Sequence, residues 1–343
     1  MQVRIKLGVA TLLFGFLALA ATARADQSVA EFYAGKRLTL FVGTAPGGSY
    51  HVYAQNFARH FRNHIPGKPT VVIQNMPGAG SVVLANYLYS VAPKDGTAIG
   101  TIQQSIPIMQ LLLYEEARYD VDRFAWIGDQ VVSNSVGAFW HGQKARTIQD
   151  AIDREVVLAA EGGFTTSNLV PLVMNEVLKT RFRLIKGIPG GGGMNLAMER
   201  GEVDGRGAVA YAGWLAEKPD WVAQKKLFFF VQAGAEPDPE LTGVPLLTSF
   251  ARNDSDRALL ELVSLVPLLG RPLVAPPDLP PSRLAALRAA FDATVRDPEF
   301  LADAQRRNMR ITPRTGDDIA KSIHQMMSVA PEVVARLRSI MKD

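Results

Sequence analysis

The chain reads as an α/β protein in two lobes, on two observations. A short apolar run, a glycine-rich Pro-Gly turn and a serine occur together twice. They are Phe41-Val42-Gly43-Thr44-Ala45-Pro46-Gly47-Gly48-Ser49 and Val71-Val72-Ile73-Gln74-Asn75-Met76-Pro77-Gly78-Ala79-Gly80-Ser81. Further along, a second pair of glycine loops follows strand-like runs: Glu161-Gly162-Gly163-Phe164-Thr165-Thr166-Ser167 and Pro189-Gly190-Gly191-Gly192-Gly193. A strand that stops at glycines and hands over to a helix leaves free N–H groups at the positive end of the helix dipole. Two such turns in each half predict a cleft between lobes that holds an anion on backbone donors.

The elements follow in order. Arg37–Val42 is an apolar strand. From Tyr50 to His64, Tyr53, Phe57 and Phe61 recur every four residues and predict a helix with one apolar stripe. Thr70–Gln74 is a strand, Ser81–Val91 a helix, and Thr97–Ile102 a third strand with Gln103, Gln104 and Ser105 at its carboxyl end. Short connections between alternating strands and helices imply parallel strands, whose ligands sit beyond the carboxyl ends. In the second half, strands are expected over Val156–Ala160, Phe182–Ile185 and Leu227–Gln232. Helices are expected over Asn168–Thr180 and from the glycines through Met198. Helices over Ser282–Val295, Pro298–Arg307 and Asp317–Ser328, and one after Pro331, close the chain.

The 343 residues suffice for two medium domains. Arg4 and Lys6 precede an apolar stretch from Leu7 to Ala21, followed by Ala23-Arg24-Ala25. That pattern reads as a cleavable secretory signal over residues 1–25, too short in its apolar part for a membrane span. Its removal takes away three basic residues and leaves 34 basic against 33 acidic, a net charge of +1. Such a balance makes no case for a nucleic-acid partner. The absence of cysteine removes any thiol nucleophile or thiolate metal site.

At the Pro-Gly turns the sequence resembles the periplasmic solute receptors of tripartite tricarboxylate transporters, the Bug receptors. The resemblance rests on an ordered set: Gly47-Gly48-Ser49-Tyr50-His51, Asn75-Met76-Pro77-Gly78-Ala79-Gly80, Pro93-Lys94-Asp95-Gly96 and Gly201-Glu202-Val203-Asp204. It implies a two-lobed periplasmic binding protein of type II, a Venus-flytrap, with two chain crossovers between lobes. On that pattern residues 26–130 and 266–343 form one lobe and 131–265 the other. It also implies a monomeric receptor that captures a small organic carboxylate and passes it to membrane components of the transporter, with no cofactor, no metal and no catalysis.

The expected ligand-binding residues are Gly47, Gly48, Ser49, Tyr50 and His51; Gly78, Ala79, Gly80 and Ser81; Gln103, Gln104 and Ser105; Phe164, Thr165, Thr166 and Ser167; Gly191 and Gly192; and Arg206. Where the family has Asp after the first turn, this chain has His51, which argues against an ammonium-bearing ligand. Arg206 replaces another acidic position and offers a planar fork to a carboxylate. It is equally spaced to pair with Glu202. His51 is either a pocket residue or a surface residue at the helix start. His60 and His64 share a helix face and read as a solvated pair; Asp204 reads as structural, and Trp214 and Phe164 as core or pocket aromatics. Two rival classes stay open. One is an enzyme built on a Ser49–His51 dyad, although no Gly-x-Ser-x-Gly elbow, His-Glu-x-x-His or phosphate loop is present. The other is a sensor protein using the same cleft.

Overall fold

The computed structural model describes residues 28–342. The signal segment, residues 1–25, lies outside them. Two mixed sheets organise the chain. The first contains β1 (Arg37–Val42), β2 (Thr70–Asn75), β3 (Ala98–Thr101), β4 (Ala125–Asp129), β10 (Pro272–Ala275) and β11 (Arg314–Thr315), in the order β11-β4-β10-β3-β1-β2. The second contains β5 (Ser135–Trp140), β6 (Val156–Ala159), β7 (Phe182–Ile185), β8 (Gly205–Ala210) and β9 (Leu227–Ala233), in the order β7-β6-β8-β5-β9. The chain therefore crosses between sheets twice, after β4 and after β9. This is the two-lobed α/β architecture with two crossovers.

The all-parallel expectation needs correcting. Only β2-β1-β3 and β7-β6-β8 run parallel. The strands next to the crossings pair antiparallel: β10 lies between β3 and β4, and β5 between β8 and β9. A strand that enters a sheet from the other lobe is free of the helical crossover that forces parallel pairing.

The helix Ser49–His64 buries its apolar stripe as its spacing predicts. Tyr53, Phe57 and Phe61 are fully buried, and Phe57 packs on Phe291 of the helix Pro281–Thr294 with ring centroids 5.7 Å apart. Its histidine face is not the solvated pair that the sequence suggests. His60 Nε2 lies 3.0 Å from Asp303 Oδ2, and His64 Nε2 lies 2.8 Å from Asp297 Oδ2. Both carboxylates come from the segment 297–306, distant in sequence, so the pair is a clamp between helices. Among the described residues no cluster of three or more His, Asp or Glu is placed to hold a metal ion. No helix among them is long and apolar enough to cross a membrane.

The two crossings are tied at one fully buried carboxylate. Asp129, the last residue of β4, accepts N–H bonds from Val131 at 3.1 Å, Gly270 at 2.8 Å and Arg271 at 2.7 Å. Burial pushes its pKa up to about 6 in spite of these three donors.

Asp129→Asn turns one acceptor oxygen into an NH₂ that must face a buried N–H. The expected loss is roughly 1–3 kcal/mol of stability, read by urea unfolding; an unchanged midpoint would show that the tie is dispensable. The histidine clamp predicts a pH effect. His60, first, and then Arg306 depress the Asp303 carboxyl from 3.8 to about 2. A depressed acid stabilises the fold above its free value and loses that contribution as pH falls toward the lowered one. His60→Gln should therefore move the acid-unfolding midpoint, followed by far-UV circular dichroism, to higher pH than in the parent.

Candidate functional site

The glycine turns and the carboxyl ends of β1, β3 and β6 meet where the two lobes face each other. A cavity of about 60 Å³ lies there, lined by Gly48, Ser49, Tyr50, Gln103, Gln104, Thr165, Thr166, Ser167, Gly191 and Arg206 among others. A second cavity of about 290 Å³ shares Thr44, Gln103 and Glu161 with it and is walled by Gly78, Ala79, Gly80 and the segment 187–190. The structure thus gathers most of the expected residues at one cleft. It places Gly47, His51, Ser81, Ser105, Phe164 and Gly192 outside both cavity walls.

Those six residues have other placements. Ser81 Oγ donates to Gly43 O at 2.8 Å and accepts from Gln103 N at 3.1 Å, so it joins the two first-lobe turns to the end of β3. Ser105 is fully buried ahead of the helix Ile106–Leu111. Phe164 packs edge-on against Tyr114 at 5.1 Å, a core role rather than a pocket one. Gly47 and Gly192 are exposed at the rim. His51 lies in the first turn of its helix, and its buried Nδ1 has no partner among the described residues.

Three charged residues that are not among the expected ligand-binding set dominate the electrostatics. Glu161 follows β6 closely, and its Oε2 accepts from Gln103 Nε2 of the other lobe at 2.9 Å. Desolvation raises its pKa, opposed by the Gln103 bond and by Arg206. Glu217 ends the helix Tyr211–Glu217, and its Oε1 accepts the Ser49 N–H at 2.6 Å. Arg271, just before β10, donates through Nη2 to Ser49 Oγ at 2.7 Å and lies over the Tyr50 ring at 4.2 Å. Tyr50 in turn accepts from Gln104 N at 3.0 Å, and burial raises its phenol pKa.

Arg206 is inside the site but not free. It lies on β8, beyond the end of the helix Gly190–Glu199, so the helical spacing to Glu202 does not apply; Glu202 lies 3.8 Å from Arg200 instead. Its Nη1 donates to Asn195 Oδ1 at 2.7 Å and stands 3.6 Å from Glu217 Oε2, above the buried Trp214 ring at 4.8 Å. Burial lowers its pKa while Glu217 and Glu161 oppose that shift. Among the described residues its Nε has no partner. Asp204 is structural, as the sequence suggests: Oδ2 accepts from Val157 N at 2.7 Å. Ser49 Oγ accepts from Arg271 Nη2, and among the described residues His51 Nδ1 has no hydrogen-bond partner, Ser49 included.

The sequence matches no protein-family model and no curated protein. Its fold is shared with solved structures at low identity. The periplasmic binding protein BugD is 16% identical over 90% of this chain and 98% of its own, with a TM-score of 0.69. An adipate-bound R. palustris protein is 15% identical over 89% of this chain and 97% of its own, with a TM-score of 0.69. MatC from Rhodopseudomonas palustris, with bound malate, is 17% identical over 89% of this chain and 99% of its own, with a TM-score of 0.66. The chain therefore has the fold of the two-lobed periplasmic binding proteins.

Gly80 supplies a prediction. It has φ +61°, and a Cβ there would lie 2.8 Å from Met109 Cε and from Thr165 Cγ2 of the facing loop. Gly80→Val should lower stability by roughly 1–3 kcal/mol through backbone strain and stop the loops from meeting. The variant is expected to stay folded by circular dichroism while losing any ligand-induced rise in melting temperature.

Proposed function

We infer that this chain is a periplasmic solute receptor of the tripartite tricarboxylate type. On this reading it closes residues 26–130 with 266–343 against 131–265 around a small organic carboxylate and delivers it to membrane components. The observation that carries the reading is the Ser49 N–H. At the head of a long helix it already holds a carboxylate, that of Glu217, in the geometry such a ligand requires. The adipate and malate bound by two proteins of the same fold support the ligand class. Binding is the whole mechanism: backbone N–H groups, the Thr165–Ser167 hydroxyls and guanidinium groups replace water around the anion, and closure follows from the ligand's preference for the closed lobes.

Glu161 favours a second reading for the far end of the ligand. His51 in place of an acid speaks against an ammonium-bearing ligand only in a cleft that has no other acids. Two line this one, Glu161 and Glu217, and Gln103 is the one hydrogen-bond partner of the Glu161 carboxylate among the described residues. A carboxylate with a hydrogen-bond-donating or ammonium group at its other end matches that wall better than a dicarboxylate does.

A melting-temperature panel of monocarboxylates, dicarboxylates and amino or hydroxy carboxylates tests both readings. A true ligand at about 100 times its Kd adds about 2.7 kcal/mol to stability. The receptor reading expects at least one carboxylate to raise the melting temperature and a carboxylate to co-purify by mass spectrometry. No shift across the panel, with nothing bound on purification, would overturn it. The second reading expects donor-bearing carboxylates to lead the panel, and Glu161→Gln to narrow their lead over plain ones.

A further inference from the structure

We propose that Glu217 is an intramolecular stand-in for the ligand's carboxylate, a built-in competitor that ties the two lobes together at the first glycine turn. The helix Ser49–His64 begins at Gly48 with no side-chain cap and no acidic residue in its first turn. Its leading N–H is therefore an orphan donor at the positive end of a 16-residue helix. The cap comes from the other lobe, where Glu217 Oε1 accepts that N–H at 2.6 Å.

Glu217 does not need the cleft for its own satisfaction. Oε2 accepts from Asn195 Nδ2 at 2.9 Å and stands 3.6 Å from Arg206 Nη1, both in its own lobe. The bond to Ser49 is the additional one and the only one of the three that crosses between lobes, beside the crossing contacts of Gln103 with Glu161, Gln104 with Ser135 and Arg310 with Asp238. The side chains of Arg206 and Glu217 are 4% and 5% exposed, so closure buries this pair. Gly191 leaves room for the carboxylate: a Cβ there would lie 2.7 Å from both of its oxygens. The cavity beside it, about 60 Å³, is far below the roughly 300 Å³ at the small end of ligand sites. An incoming carboxylate that uses the Ser49 N–H has to take it from Glu217, beside the adjoining cavity of about 290 Å³ that shares Thr44, Gln103 and Glu161. The buried Arg206 Nε, which lacks a partner among the described residues, is a second donor on the same wall. Competition of this kind lowers apparent affinity by the fraction of molecules held in the latched state.

The second part of the proposal, displacement by ligand, rests on the carboxylate-receptor reading; the latch itself does not. The chain has no cysteine, so fluorophores on Val83→Cys and Leu196→Cys, exposed residues of the two lobes, report lobe separation by energy transfer. Three variants are compared ligand-free with the labelled parent. Glu217→Ala removes the carboxylate, Glu217→Gln keeps its volume and contact to Asn195 while removing charge, and Gly191→Ala displaces the carboxylate without removing it. The expected result is lower transfer in Glu217→Ala and Gly191→Ala, with Glu217→Gln between them and the parent. Any carboxylate found in the panel should bind Glu217→Ala several-fold more tightly. Unchanged transfer in every variant that keeps a cooperative melt overturns the latch, as does weaker carboxylate binding by Glu217→Ala. If no carboxylate binds the parent, the receptor reading fails while the transfer measurement still decides the latch.

Discussion

The placement of Arg271 behind the first glycine turn depends on the Asp129 carboxylate. It accepts three backbone N–H bonds where the chain leaves the first sheet and where it returns 141 residues later. The β4–β10 and β5–β9 ladders already hold the two crossings side by side, and the knot adds three bonds where they leave the first sheet. With it, Arg271 is delivered to one place: its backbone N–H bonds Asp129 while its guanidinium reaches Ser49 Oγ and covers Tyr50. Tyr50 then receives Gln104 N, which fixes the end of β3. A single buried acceptor thus reinforces the strand-paired crossings and positions a cation behind the first glycine turn. Its cost is desolvation of a charge, visible in the raised pKa.

Each arginine of the cleft faces a carboxylate and Glu161 is left over, and this changes what the glycine turns can do. Arg206 faces Glu217, Arg271 shares its neighbourhood with Asp129, and Glu161 has a neutral amide as its bonded partner. An anion cradle made of backbone dipoles survives such pairing, because N–H groups keep their polarity whatever the side chains carry. A cradle made of arginines would not. On the proposed reading, selectivity for negative charge at this end of the cleft lies in the turn and helix geometry, while the side chains adjust what else the ligand presents.

The parts of this arrangement legible in sequence are those written locally. β1 and β7 run between the ends that their apolar pattern marks, and the amphipathic helices agree within a residue or two. Apolar spacing and glycine or proline stops act over a few residues. Other strands carry misleading local signals. β8 is Gly-Arg-Gly-Ala-Val-Ala, with glycines and a charge inside a buried strand, and β10 opens on Pro272, where proline density speaks for loop. The site residues hidden from the sequence are hidden for a different reason. Arg271 meets Ser49 across 222 positions and Glu217 meets it across 168. Glu217 looks like an ordinary solvated residue at a helix end. Glu161 alone has a readable signal, since it follows a strand at the carboxyl edge where ligands of such sheets lie.

The first glycine turn reads as an anion site from its residues alone, and in the fold an anion occupies it, supplied by the protein. That coincidence constrains energetics as well as place. A carboxylate tethered to the opposite lobe has a high effective concentration at the turn, so even a single charge-assisted bond is populated when the lobes approach. A free ligand wins only if it gains more than that one bond in the closed state, since equal affinity for open and closed lobes shifts nothing. The surplus must come from contacts that Glu217 cannot make: the Thr165–Ser167 hydroxyls, the wall at Gly78–Gly80, and Glu161 at the far side. On the carboxylate-receptor reading, selectivity in this cleft rests on the ligand's second end, because its first end competes with the Glu217 carboxylate, chemically equivalent to its own.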